Sequence, residues 1–270
     1  MNVLTEIKFF FINIFSLRSI IIELAKRDFK SQYASSMLGI IWVYLQPLLF
    51  IVVIYLVFSI GFRVKPSTDD VPYSVWLISG MVAWLFFSTN LSSGPGIIIQ
   101  YSYLVKKVDF RLSILPLVKL LSEFIPHIVF ICISILIAAY NGFNPSLFSL
   151  QIFYYLFAMC ALILGINWLT SSANIFIPDV SRLVTLVVQF GLWLTPIFWS
   201  REQVPDNYHW LIDLNPMSYI VSGYRDSLIH KIGFWEKPVE TVYFWLTCLT
   251  LCALGAIVFK RLRPHFAEVI

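Results

Sequence analysis

Long apolar stretches alternate with short polar breaks along this chain. Six runs approach or exceed the roughly 20 residues that a helix needs to cross the hydrocarbon core: 38–60, 73–97, 114–140, 150–177, 183–199 and 241–259. The first carries no charged residue. Pro47, Pro116, Pro126 and Pro196 interrupt some of them, which membrane helices tolerate where neighbours satisfy the freed carbonyls. Residues 1–37 have a different period. Ile7, Phe10, Phe11, Ile14, Leu17, Ile21 and Ala25 share one helical face, and Glu6, Asn13, Ser16, Glu23, Arg27 and Lys30 share the other. That pattern predicts a cytoplasmic helix lying in the membrane interface. Between runs five and six, residues 200–238 are too apolar for a disordered loop. Asn215-Pro216 reads as an N-cap followed by proline at the first helical position. Met217, Ile220, Val221, Tyr224 and Leu228 then recur at helical spacing. The expectation is an all-α membrane protein: an N-terminal interfacial amphipathic helix (1–37), then a six-helix transmembrane domain (38–270) with a short outside helix of re-entrant type.

Composition removes the soluble alternatives. Hydrophobic residues make up 59% of the 270 and charged residues only 13%, against about 25% charged in soluble domains. Mean hydropathy is +0.81. Disordered chains, disulfide scaffolds and cytosolic enzymes are excluded. The distribution of Lys and Arg sets the orientation. With both termini inside, the cytoplasmic segments hold 12 of the 19 and the outside segments 6, with Lys119 inside the third run.

Little in the chain can do covalent chemistry. None of the 11 glycines precedes a lysine, so a phosphate-binding loop of the G-x-x-x-x-G-K-[ST] type is impossible. The histidines are scattered and no zinc spacing is present. Cys132, Cys160, Cys248 and Cys252 sit in apolar runs and read as packing thiols. Lys119, Glu123 and His127 follow one another at helical spacing, as a proton relay or as a neutralised pair near a helix end. Gln46, Asn90, Asn167, Thr170, Ser171, Asn174 and Gln189 need partners or water in hydrocarbon. Mid-span aromatics such as Tyr55, Phe190 and Trp193 serve either helix packing or a wall offering flat faces to sugar rings. The segment 100–116 mixes Tyr101, Tyr103, Leu104, Val105 and Phe110 with Lys106, Lys107, Asp109 and Arg111. It suits lipid headgroups or a docking helix for a soluble partner. Arg27 and Lys30 can anchor the first helix or meet an incoming anionic headgroup.

The order of several short motifs resembles the membrane subunit of ABC-2-type polysaccharide exporters, which serve O-antigen, capsule and teichoic acid export. The motifs are Leu24-Ala25-Lys26-Arg27-Asp28-Phe29-Lys30 with Tyr33; Ser36-Met37-Leu38-Gly39-x-x-Trp42 with Gln46-Pro47; Leu104-Val105-Lys106-Lys107-x-x-Phe110; Pro178-Asp179-Val180-x-Arg182; Thr195-Pro196-Ile197; and Leu214-Asn215-Pro216-Met217 with Tyr224-Arg225. Arg111 stands where proline often follows the Lys106-Lys107-x-x-Phe110 stretch. The resemblance implies a multi-pass subunit of the cytoplasmic (inner) membrane, a homodimer with two copies of a separate ATPase that binds ATP and Mg. This chain would then hold no cofactor of its own and bind no nucleic acid. The cargo would be an O-antigen-like polysaccharide on undecaprenyl diphosphate, with a wall teichoic acid or capsule exporter of the same family, or a drug or lipid exporter permease of the ABC-2 type, as the alternatives. It also implies site roles. Tyr101, Leu104, Val105, Lys106, Lys107, Asp109 and Phe110 would form the ATPase-docking coupling helix. Arg27, Lys30 and Tyr33 would receive the lipid diphosphate. Trp42, Gln46, Tyr55, Phe190 and Trp193 would line the channel.

Overall fold

The computed structural model describes residues 17–33, 36–64, 71–105 and 110–270. The chain is almost entirely helical, and no strand occurs among the described residues. Its main helices are α1 (Arg18–Tyr33), α2 (Ile41–Tyr55), α3 (Tyr73–Ser93), α4 (Leu115–Ser122), α5 (Phe124–Tyr140), α6 (Ile152–Asn174), α7 (Asp179–Leu194), α8 (Pro216–Arg225) and α9 (Pro238–Leu262). With their adjoining turns, five stretches are long and apolar enough to cross a membrane: Ile41–Gly61, Tyr73–Gln100, Leu112–Tyr140, Leu147–Asn174 and Pro238–Val269.

The expected crossing at 183–199 takes another form. Helix α7 has 16 residues and stops at Leu194, a rise of about 24 Å at 1.5 Å per residue. The hydrocarbon core is about 30 Å thick. Thr195 is extended, with φ −88° and ψ 137°, because the ring of Pro196 disfavours the helical region for the residue before it. Ile197 and Phe198 then turn inward and are fully buried. The third run is also broken. It bends at Glu123, between α4 and α5, three residues before Pro126, which has no N–H to bond the carbonyl of Ser122.

Helix α3 sits at the centre, packed by α2, α5, α7 and α8. Its first half is buried on every side, from Val75 and Leu77 to Met81 and Ala83, as the largely apolar part of a helix inside a bundle should be. Helices α6 and α9 form the most extensive pair. Gly165 and Gly255 meet there: a Cβ on Gly255 would collide with the Gly165 carbonyl. Glycines allow that approach because dispersion contacts, not water exclusion, hold helices together in lipid.

Helix α1 packs on α4 through Ile21, Ala25, Asp28 and Phe29. Glu23, Arg27 and Lys30 are exposed, as the periodicity predicts. The earlier positions of that pattern, Glu6 to Ser16, lie outside the described residues. Helix α8 begins as expected: the Asn215 side chain accepts from Met217 N at 3.0 Å. Met217, Ile220, Val221, Tyr224 and Leu228 are all buried.

Candidate functional site

Two adjoining grooves run beside α3. The first, about 530 Å³, lies between α2, α3 and α7 and is lined by Phe50, Trp84, Ser88, Thr89, Ser92 and Gln189 among others. The second, about 330 Å³, lies between α2, α3 and α5, where Trp42, Gln46, Thr89, Glu123, His127 and Phe130 meet. Phe50, Leu85 and Thr89 belong to both, so hydroxyl, amide and aromatic groups follow one another along one wall.

The expected channel residues divide. Trp42 and Gln46 line the second groove. Tyr55 stacks on Tyr73, with ring centroids 6.3 Å apart, and lines neither. Phe190 and Trp193 stand on the outward face of α7, 62% and 52% exposed. Their neighbour Gln189 faces the first groove instead. Ser88, Thr89, Ser92 and Ser93 were not anticipated. Their i, i+1, i+4, i+5 spacing puts four hydroxyls on one stripe of an otherwise apolar helix, and that stripe is a readable signal.

The intramembrane amides are mostly structural. Asn167 Nδ2 donates to the Asn90 carbonyl at 3.2 Å, and Asn174 Nδ2 to the Pro95 carbonyl at 3.1 Å. Both fasten the weakened end of α3, residues 94–96, onto α6. His127 stacks on Phe86 at 4.3 Å and shares a 3.0 Å hydrogen bond with the Tyr224 hydroxyl.

Beneath the second groove lies a buried ionic cluster. Lys119 Nζ is 3.2 Å from Glu123 Oε1, the pair that the spacing predicts, and 3.1 Å from Asp28 Oδ2 on α1. Asp28 is 1% exposed. Gln100 Nε2 donates to its Oδ1 at 3.0 Å and Gln32 Nε2 to its Oδ2 at 3.2 Å; the Tyr101 hydroxyl lies 3.4 Å from Oδ1. Gln32 also donates to Glu123 Oε1 at 2.9 Å. One carboxylate therefore joins α1 and α4 to the end of the α3 stretch. Asp28 and Lys119 lie 91 residues apart, beyond the reach of any local pattern.

The candidate docking residues have mixed surroundings. Tyr101 and Leu104 are buried in the chain's own core with Ile98, Leu115 and Phe266, and Phe110 packs against its edge. Tyr103 is 48% exposed. Lys106, Lys107 and Asp109, and the side chains of Val105 and Tyr33, lie outside the described residues. Arg27 and Lys30, the proposed receivers of a headgroup, are exposed on α1.

A second polar centre closes the far side. Arg225, counted by the sequence pattern as a loop cation, is 3% exposed. Its Nη1 donates to the Pro196 carbonyl at 2.6 Å and Nη2 to the Ile197 carbonyl at 2.8 Å. The guanidinium stacks over Trp76 at 3.7 Å. Asn215 Nδ2 reaches Thr195 Oγ1 at 2.8 Å. The non-helical backbone after α7 is thus satisfied by α8, as irregular backbone inside a membrane protein must be. Next to it, Asp226 pairs with Lys237. Burial pushes that carboxyl above its ordinary value, and Lys237 pulls it back. Among the described residues, no group of three or more His, Cys, Asp or Glu could hold a metal ion.

The profile of the family described as ABC-2 type transporter matches residues 20–229. The chain belongs to that family. The matched region takes in α1, both grooves, the Asp28 cluster and the Arg225 clamp, and it ends before α9. The O-antigen export system permease protein RfbA of Klebsiella pneumoniae is 27% identical over 259 residues, covering 96% of this chain and 97% of the relative. A protein of the same description from Myxococcus xanthus is 21% identical over 266 residues, 95% and 97% of the two chains. The polysialic acid transport protein KpsM of Escherichia coli is 17% identical over 256 residues, 91% and 95%.

Proposed function

We propose that this chain is the membrane subunit of an ATP-driven exporter that carries an undecaprenyl-diphosphate-linked polysaccharide of O-antigen type across the cytoplasmic membrane. The observation that carries the reading is end-to-end similarity to O-antigen export permeases from two different genera. The wall of Trp42, Gln46, Ser88, Thr89 and Gln189 supports it, since aromatic faces and neutral hydrogen-bonding groups suit a chain of sugars. The sequence offers no phosphate-binding loop, so ATP and Mg belong to a partner ATPase.

In this reading α7 and the inward-turned residues 195–199 make the sixth crossing, and α8 is a re-entrant helix entering from outside. Helix α1 lies at the cytoplasmic interface, and both termini are cytoplasmic. Two copies face each other across the exposed apolar sides of α2 and α7, because one bundle is too narrow to enclose a glycan. Two ATPase subunits bind beneath, against residues 101–110, and the Asp28 cluster relays their movement to α1 and α4. Arg27, Lys30 and Tyr33 meet the lipid diphosphate, and its glycan passes along the grooves.

Deletion of the gene tests the reading. Surface glycan should disappear, with lipid-linked glycan accumulating inside, and the intact gene should restore export. Unchanged surface glycan in the deletion strain would overturn it.

A further inference from the structure

The second groove carries a carboxylate with one oxygen that no described side chain engages. Glu123 is 7% exposed and lines the groove. Among the described residues, its side-chain partners are Gln32 Nε2 and Lys119 Nζ, and both engage Oε1. No described side chain engages Oε2, which we assign to an occupant. Among the described residues, the cluster behind it sets two carboxylates in direct contact with one ammonium, so the carboxylates outnumber the cation paired with them. Gln46 and Thr89 add a side-chain amide and a hydroxyl. Trp42 and Phe50 bring aromatic faces that the rest of the chain leaves 38% and 39% exposed.

Those features separate the conceivable occupants. An acyl chain would strip water from the carboxylate and amide without replacing its hydrogen bonds. A diphosphate or an acidic sugar would meet like charge. A neutral sugar offers hydroxyl donors to the carboxylate and an apolar ring face to the indole. The volume, about 330 Å³, falls at the lower end of the range of about 300–1,000 Å³ for small-molecule sites.

We propose that this groove seats one uncharged or amine-bearing sugar ring, with Glu123 Oε2 accepting from its hydroxyl or ammonium group and Trp42 covering its face. The assignment rests on the polysaccharide reading above and sharpens it: Glu123 is a specificity residue that selects against acidic sugars.

Saturation-transfer NMR on the full chain in sugar-free lipid nanodiscs tests it, with methyl glucoside, methyl glucosaminide and methyl glucuronide as probes. The first two should bind about fivefold better than the glucuronide, the size expected of one contact between unit charges in a hydrated setting. Glu123→Gln keeps the shape and leaves Lys119 paired with Asp28. It should raise the glucuronide to the level of the neutral glycoside, a gain that misfolding cannot produce. Trp42→Ala should remove binding of all three. Equal binding of the three probes by the unaltered chain, or a preference that survives Glu123→Gln, overturns the assignment. Two mixed results separate it from the broader reading. A chain that restores glycan export in cells but binds none of the probes refutes the groove assignment alone. A chain that binds them as expected but exports no glycan refutes the polysaccharide reading alone.

Discussion

Helices α2 and α3 look alike as sequence and differ in what surrounds them. Both belong to apolar runs without a charged side chain, yet within an apolar 18-residue segment of each, 78% of the α3 residues are buried in the chain and only 17% of the α2 residues. The less apolar of the two is the hub. Ser79 Oγ and Asn90 Nδ2, both on buried residues, donate to the helix's own carbonyls, while Leu49, Val52 and Val53 of α2 and the adjoining Leu56 point away from the bundle. In lipid the most apolar surface gains nothing by hiding, so hydropathy identifies the outside and polar interruptions mark the centre. Helix α2 offers a large face to lipid or a second copy. Helix α3 supplies one wall of both grooves.

The sharpest way to break the hub is through Arg225, which holds α8 and residues 196–197 against Trp76. Arg225→Met leaves two carbonyls without donors inside the bundle. At about 1–3 kcal/mol for each orphaned group, the loss should reach about 3 kcal/mol or more, read as thermal unfolding in nanodiscs. Arg225→Lys should recover part of it. Next comes packing. Met81, fully buried on α3, should cost about 2 kcal/mol or more when cut to Ala. Asp28→Asn keeps the shape of the cytoplasmic cluster, and Lys119 retains Glu123. It should cost about 1–3 kcal/mol, seen as faster hydrogen exchange of α1 amides with the α3 amides unchanged. The smallest effect belongs to α2. Leu49→Ala, at a position 52% exposed, should shift unfolding by no more than about 0.5 kcal/mol. If α2 lies between two copies, the same substitution weakens dimerisation, as sedimentation would show. A Leu49→Ala loss matching Met81→Ala in unfolding would erase the contrast.

Much of this was legible in the chain. Asn215-Pro216 marks the start of α8, the apolar face of α1 is where its period puts it, and Lys119 with Glu123 forms the expected i, i+4 pair. What stayed hidden depends on distant partners. Asp28 looks like an interfacial acid until Lys119 and Gln100 surround it. Arg225 looks like a loop cation because a charge count cannot see carbonyls gathered around a guanidinium. Pro196 announces a kink, but its consequence, an extended Thr195 and an inward turn, depends on α8 supplying the donors. Phe190 and Trp193 have the aromatic faces of a channel wall, but the rotation of α7 turns Gln189 to the groove instead.

The central claim is that this chain provides the path and a separate ATPase provides the energy. Reconstitution in liposomes measures that directly, using a lipid-linked glycan added to one leaflet and a glycan-binding lectin sampling the other. Transfer should require both this chain and an ATPase partner, stop without ATP, and stay absent with this chain alone. ATP-driven transfer, or ATP hydrolysis, by this chain in the absence of any partner would contradict it.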